Sequence, residues 1–214
     1  MKLKLHHTGS AAYARGHTAS QATGTRLRRL FAPAMVVACA LLANTAVDAQ
    51  DYHSNDVTPA GATAGKLTAA SGGKQVGGSQ GAGYGSPHAL LLSGNALTGV
   101  DLNPATAFYS LATCMDDAQQ GGWAYMPTGI HALVWSGSSS SYADLNPSGY
   151  NFSYCLGVHN GEQVGYAQQQ SYFISASHAY CWHGTATSGV DLHSGIYPFS
   201  RAVACHDGEE VGYV

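Results

Sequence analysis

Histidine is the residue type in this chain with the most chemistry to offer. Seven lie in its repeat copies: His88, His131, His159, His178, His183, His193 and His206. Imidazole nitrogens that converge to about 2.0–2.1 Å from one point would hold zinc. Asp101, Asp144 and Asp191 could supply paired acids for glycoside hydrolysis, provided that two of them face one another across a sugar. The string Gly77-Gly78-Ser79-Gln80-Gly81 matches the G-x-S-x-G nucleophile elbow, which needs a strand before it and a helix after it. Its sequel, Ala-Gly-Tyr-Gly-Ser-Pro, does not suit that helix.

Spacing decides between these chemistries. His88 to Asp101, His131 to Asp144 and His178 to Asp191 are each 13 residues apart. Asp101 to Gly122, Asp144 to Gly165 and Asp191 to Gly212 are each 21 apart, and so is Asp56 to Gly77 in a worn partial copy. Residues that recur at a fixed period occupy equivalent settings in successive units. His88, His131 and His178 are therefore spread out rather than gathered around an ion. Each is expected to bond within its own unit, to the Asp 13 residues on or to the Ser 22 residues on (Ser110, Ser153, Ser200). Each Asp, with Leu and mostly Asn-Pro behind it, is expected to bond backbone amides and fix a turn. His183, His193 and His206 share the last copy and could sit on one edge. No residue is assigned a catalytic, cofactor-binding or metal role, and no cofactor is expected.

The elements that carry these residues are short. The middle copy has apolar stretches at 131–135, 142–145, 153–158 and 162–167. Between them stand Ser136-Gly137, Asn146-Pro147-Ser148-Gly149 and His159-Asn160-Gly161. The Asn-Gly pair accepts the positive φ angles of a type I′ hairpin turn. No window sustains a 3.6-residue period, and Gly and Pro interrupt too often for long helices. The expected fold is all-β: tandem four-stranded antiparallel units, a partial or few-bladed β-propeller-like array.

The boundaries follow. Residues 1–49 read as a signal peptide, with Lys2, Lys4, Arg15, Arg26, Arg28 and Arg29, then apolar Leu30–Ala43, then small residues before Gln50. Residues 50–87 are a degenerate N-terminal half-repeat and linker. Repeat 1 covers 88–130, repeat 2 covers 131–177, and repeat 3 covers 178–214, incomplete at its C-terminus. With four copies of one half and three of the other, the last unit either borrows Val57-Thr58, self-associates through open sheet edges, or belongs to a truncated piece.

Without the leader only Lys66, Lys74 and Arg201 remain against eleven of the twelve acids. Nucleic acid, which demands clustered Lys and Arg, is excluded as a partner. Cys114, Cys155, Cys181 and Cys205 allow three disulfide connectivities, or act as small buried apolar residues. Trp135, Trp182, Tyr154, Tyr166, Tyr172, Tyr180 and Tyr213 serve mainly packing between units. An exposed subset could stack against sugar rings or proline-rich peptides.

The unit S-x-A…G-x-Q-V-G-Y…H-A-x-x-W-x-G…V-D-L resembles the probable extracellular repeat named HAF after its His-Ala-Phe tripeptide. Here the tripeptide is replaced by His88-Ala89-Leu90, His131-Ala132-Leu133 and His178-Ala179-Tyr180. The Gln-Val-Gly signature stands at 75–77 and 163–165, becomes Glu210-Val211-Gly212 in the last copy, and is lost at Gly121-Gly122. The resemblance covers most of 53–214 and implies an exported, propeller-like repeat protein; it brings no catalytic residues. The expected function is a secreted, periplasmic or surface scaffold or binding surface, not an enzyme, with carbohydrate or protein as ligand. The alternatives are a propeller-type glycan-active enzyme and a fragment without independent function.

Overall fold

The computed structural model describes residues 3–6, 58–81, 84–94, 99–169 and 176–214, the first of these as backbone only. After a short strand β1 (Leu3–His6), the chain folds as consecutive antiparallel meanders. The first comprises β2 (Ala62–Ser71), β3 (Lys74–Gly81), β4 (Tyr84–Ser93) and β5 (Val100–Asp101). The second comprises β6 (Tyr109–Met115), β7 (Gln120–Met126), β8 (Gly129–Trp135) and β9 (Ala143–Asp144). The third comprises β10 (Phe152–His159), β11 (Glu162–Gln168), β12 (Ser177–Trp182) and β13 (Val190–Asp191). A fourth begins with β14 (Arg201–His206) and β15 (Glu209–Tyr213). A single parallel bridge, Phe152 to Ile130, links the second and third meanders into one sheet.

The fold is all-β. One three-residue 3-10 turn, Ala186–Ser188, interrupts the strands, and no helix among the described residues is long and apolar enough to cross a membrane. The hydrogen-bonded meander starts two strands later than a period counted from His to His. The strand added to β15 is β1, with Leu5 opposite Glu210, although the sequence places Leu3–His6 in the leader. Of the pair Val57-Thr58, Thr58 lies in no strand and Val57 falls outside the described residues. The rest of the leader, Asp56 and Tyr172 also lie outside them.

Each unit opens with a hairpin that carries the same defect. The register slips between Leu67 and Ala69, Ala112 and Cys114, Cys155 and Gly157, and Ala202 and Ala204. The bulge presses the partner strand against a backbone carbonyl. A Cβ on Gly77, Gly122, Gly165 or Gly212 would fall 1.8, 2.1, 1.8 or 2.1 Å from the carbonyl oxygen of Lys66, Leu111, Tyr154 or Arg201. Only glycine fits there, which is why the Val-Gly pair recurs. The hairpin turn at Asn160-Gly161 has φ of 48° and 84°, and Asp207-Gly208 repeats it at 48° and 76°. The second unit instead turns through Asp116, whose Oδ1 accepts from the N–H of Ala118 and Gln119.

The core lies between successive units. Val76, Ala89, Leu91 and Leu102 of the first pack with Ala112, Ala124, Met126, Leu133 and Trp135 of the second. The opposite face of β8 offers Ala132 and Val134 to Cys155, Ala167, Tyr180 and Trp182 of the third. A strand covered on both faces must be apolar throughout, so the HALVW run shows no alternation. A smaller cluster of Val164, Ala179, Cys181 and Ala202 joins the third unit to the fourth.

Candidate functional site

The recurring polar residues form three copies of one network. His88 Nδ1 lies 2.9 Å from Asp101 Oδ2, His131 Nδ1 2.6 Å from Asp144 Oδ2, and His178 Nδ1 2.7 Å from Asp191 Oδ2. The second carboxylate oxygen of each Asp accepts from the backbone N–H two residues on, at Asn103, Asn146 and His193, each at 2.8 Å. The serine bonds neither that histidine nor the aspartate. Ser110, Ser153 and Ser200 accept from the N–H of Ala89, Ala132 and Ala179. The hydroxyls of Ser110 and Ser153 donate to Asn103 and Asn146 Oδ1, while His193 Nδ1 takes that place beside Ser200. The network closes the short fourth strand of each unit onto the third and anchors the chain that leads to the next unit. Both oxygens of each carboxylate are thus engaged, one by histidine and one by backbone.

The other histidines divide between two places. His193 stacks on His178 at 4.1 Å, whereas His206 lies 4.1 Å from the ring of His159. His193 and His206 thus belong to separate clusters. Two groups of donor atoms lie within 4.8 Å of one another among the described residues: His159, His206 and Asp207 on the surface, and Glu162, Cys181 and Glu210 in the interior. Ser79 of the G-x-S-x-G string is buried in β3 and donates to the Ala64 carbonyl. A cleft of about 680 Å³ opens near the hairpin tips, where the Asn160 N–H holds Asp116 and the Ser71 hydroxyl holds Asp117.

The four thiols among the described residues, Cys114, Cys155, Cys181 and Cys205, are free. Cys114 and Cys155 meet sulfur to sulfur at 3.9 Å over Gly121, where a Cβ would fall 2.6 and 2.7 Å from the two sulfurs. Valine is lost from the second unit because those sulfurs fill its space. The contact with Cys114, followed by burial, pushes the Cys155 thiol up. Burial, then the nearby Glu162 and Glu210 carboxylates, raises the Cys181 thiol; burial, then Glu162, pushes Cys205 up to about 12.

Aromatic side chains separate into two sets. Trp135 and Trp182 are fully buried and belong to the core. A second set forms a continuous row across units two and three: Phe108 to Tyr125 at 5.4 Å, Tyr125 to Tyr109 at 5.2 Å, Tyr109 to Trp123 at 5.9 Å, Trp123 to Tyr154 at 5.8 Å and Tyr154 to Tyr166 at 4.8 Å. The Arg201 guanidinium caps it, 4.1 Å over the Tyr166 ring. Register builds the row, since Tyr109 faces Tyr125, Tyr154 faces Tyr166 and Arg201 faces Tyr213 across strand pairs. Phe108, Tyr125 and Tyr213 are exposed, while the rings between them are partly covered. Burial raises Tyr154 and Tyr166, with the Arg201 charge opposing it, so both phenols stay neutral. The sequence reading misses Phe108, Tyr109 and Tyr125. The signal was there: Trp123 and Tyr125 sit two apart on one face of β7, and the residue after the recurrent glycine is Trp123, Tyr166 and then Tyr213.

Compared with family models, curated proteins and solved structures, the chain matches none of them.

Proposed function

We propose that this chain is an exported, non-catalytic repeat protein of HAF type, its units set side by side like the blades of a small β-propeller. Its working surface is the aromatic row, and its ligand is a carbohydrate. The observation that carries this reading is the row itself, six rings from Phe108 to Tyr166 at centroid separations of 4.8 to 5.9 Å. Sugar rings present C–H faces that stack on aromatic faces, and half-exposed Tyr and Trp combine an apolar body with a polar tip. A row that spans two units would follow several residues of a glycan chain. The recurring side chains argue against catalysis because each His is bonded to the Asp of its own unit and each Ser is spent on tying one unit to the next. Scarcity of Lys and Arg along the row favours a neutral glycan over an acidic one.

Affinity electrophoresis tests it. The purified chain should be retarded in gels that contain a soluble neutral polysaccharide such as a β-glucan, and Tyr166→Ala should restore mobility. Equal mobility across a panel of neutral polysaccharides would refute the assignment.

A further inference from the structure

A repeat protein marks its special sites by departing from its own pattern, and four such departures meet in one place. The residue two before the recurrent glycine is Gln75, Gln120 and Gln163 in the first three units, but Glu210 in the fourth. The residue opposite it across the hairpin is Ala70, Met115 and Val158, but then Cys205. On the third strand, Leu91 and Val134 are followed by Cys181. The residue before the glutamine is Lys74 and Gln119, and then Glu162.

Two of the glutamines, Gln120 and Gln163, share a defined task. Gln120 Oε1 accepts from the Gly137 N–H at 2.8 Å, and Gln163 Oε1 accepts from the Gly184 N–H at 2.7 Å. Glu210 replaces that amide with a carboxylate at 2% exposure. Cys181, at 4% exposure, points its sulfur at Glu162 Oε1 across 3.6 Å. One donor atom each from Glu162, Cys181 and Glu210 lie within 4.8 Å of one another. The Cys205 sulfur is 3.7 Å from the Glu162 carbonyl, beside the same group.

We propose that Glu162, Cys181 and Glu210 form a divalent-metal site of zinc type between the third and fourth units, with Cys205 as a fourth donor. Zinc takes thiolate sulfur at about 2.3 Å and carboxylate oxygen at about 2.0–2.2 Å, so tetrahedral donors stand about 3.3–3.8 Å apart. Glu162, Cys181 and Glu210, with donor atoms within 4.8 Å of one another, must draw slightly closer to reach that spacing. Mixed sulfur and oxygen donors select zinc over calcium or magnesium, which prefer oxygen only. The ion would clamp β11 and β12 to β14 and β15, across the junction with the smallest apolar cluster. The surface group of His159, His206 and Asp207 contains no sulfur, which gives the test its discrimination.

Cobalt(II) is the probe, added to the purified full chain with its thiols kept reduced. One equivalent should give tetrahedral d–d absorption together with a near-ultraviolet sulfur-to-cobalt charge-transfer band, and zinc should abolish both. Cys181→Val and Glu210→Gln restore residues that other units carry at those positions, so both variants should fold. C181V should lose the charge-transfer band, E210Q should weaken binding at least tenfold, and His206→Ala should change neither. No charge-transfer band in the reduced chain, or one unaltered in folded C181V, would overturn the site.

Discussion

The hydroxyl of Thr113 donates to the carbonyl of Cys155 across 2.6 Å, from the bulge of one unit to the first strand of the next. Thr68 makes the same bond one unit earlier, to Ala112 at 2.7 Å. The bulge thus does two things at once. It forces glycine onto the partner strand, and it turns a side chain outward to hold the following unit. The third unit has Leu156 at this position, and the fourth has Val203, so the bond is made at only two of the junctions.

Thr113→Val keeps the shape and removes that donor, leaving the Cys155 carbonyl without it. Stability should fall by about 1–2 kcal/mol, the usual penalty for stranding a partly buried acceptor. Chemical unfolding followed by circular dichroism measures it. Leu156→Val, with no such bond to lose, is the comparison and should cost less than about 1.5 kcal/mol.

The period, the Asn160-Gly161 turn and the all-β character were legible because each is local: spacing, a left-handed dipeptide, and the lack of a helical repeat. The pairing of His131 with Asp144 was legible only as one of two alternatives, since Ser153 keeps step with the histidine equally well. What sequence could not supply was the meeting of residues from different units. Cys114 and Cys155 are 41 residues apart, and their shared pocket over Gly121 exists only once two units pack. The aromatic row is hidden for the same reason, since Trp123 and Tyr154 touch across a unit boundary. The strand on β15 comes from Leu3–His6, a stretch whose composition speaks for export rather than for a sheet.

Ser153→Ala tests the internal network. Ser153 is fully buried, accepts from Ala132 and donates to Asn146. Its loss strands a buried N–H and one amide oxygen, and should cost about 2–3 kcal/mol. The first unit offers a natural contrast, because Gly65 occupies the equivalent position opposite Ser79. Thermal unfolding of the purified variant gives the number, and an unchanged midpoint would contradict the role assigned.

Gly121→Val restores the residue found at Val76, Val164 and Val211, yet it should destabilise by about 1–3 kcal/mol through overpacking on two sulfurs. Combined with Cys114→Ala and Cys155→Ala, the same change should cost less than it does alone, because the obstructing sulfurs are gone. A double-mutant cycle on urea unfolding reads that coupling. Strict additivity would place the strain elsewhere.

The account rests on recurring polar residues serving architecture while the aromatic row meets the ligand, and one titration separates the two. Trp135 and Trp182 are fully buried, so ligand-dependent change in indole fluorescence reports chiefly on Trp123. Added neutral oligosaccharide should shift that emission saturably. His131→Gln should leave the affinity within about twofold of the unmodified chain at a temperature where both are folded, and Tyr154→Ala should weaken it at least tenfold, about 1.4 kcal/mol. No saturable change, or an affinity that follows His131 and ignores Tyr154, would contradict it.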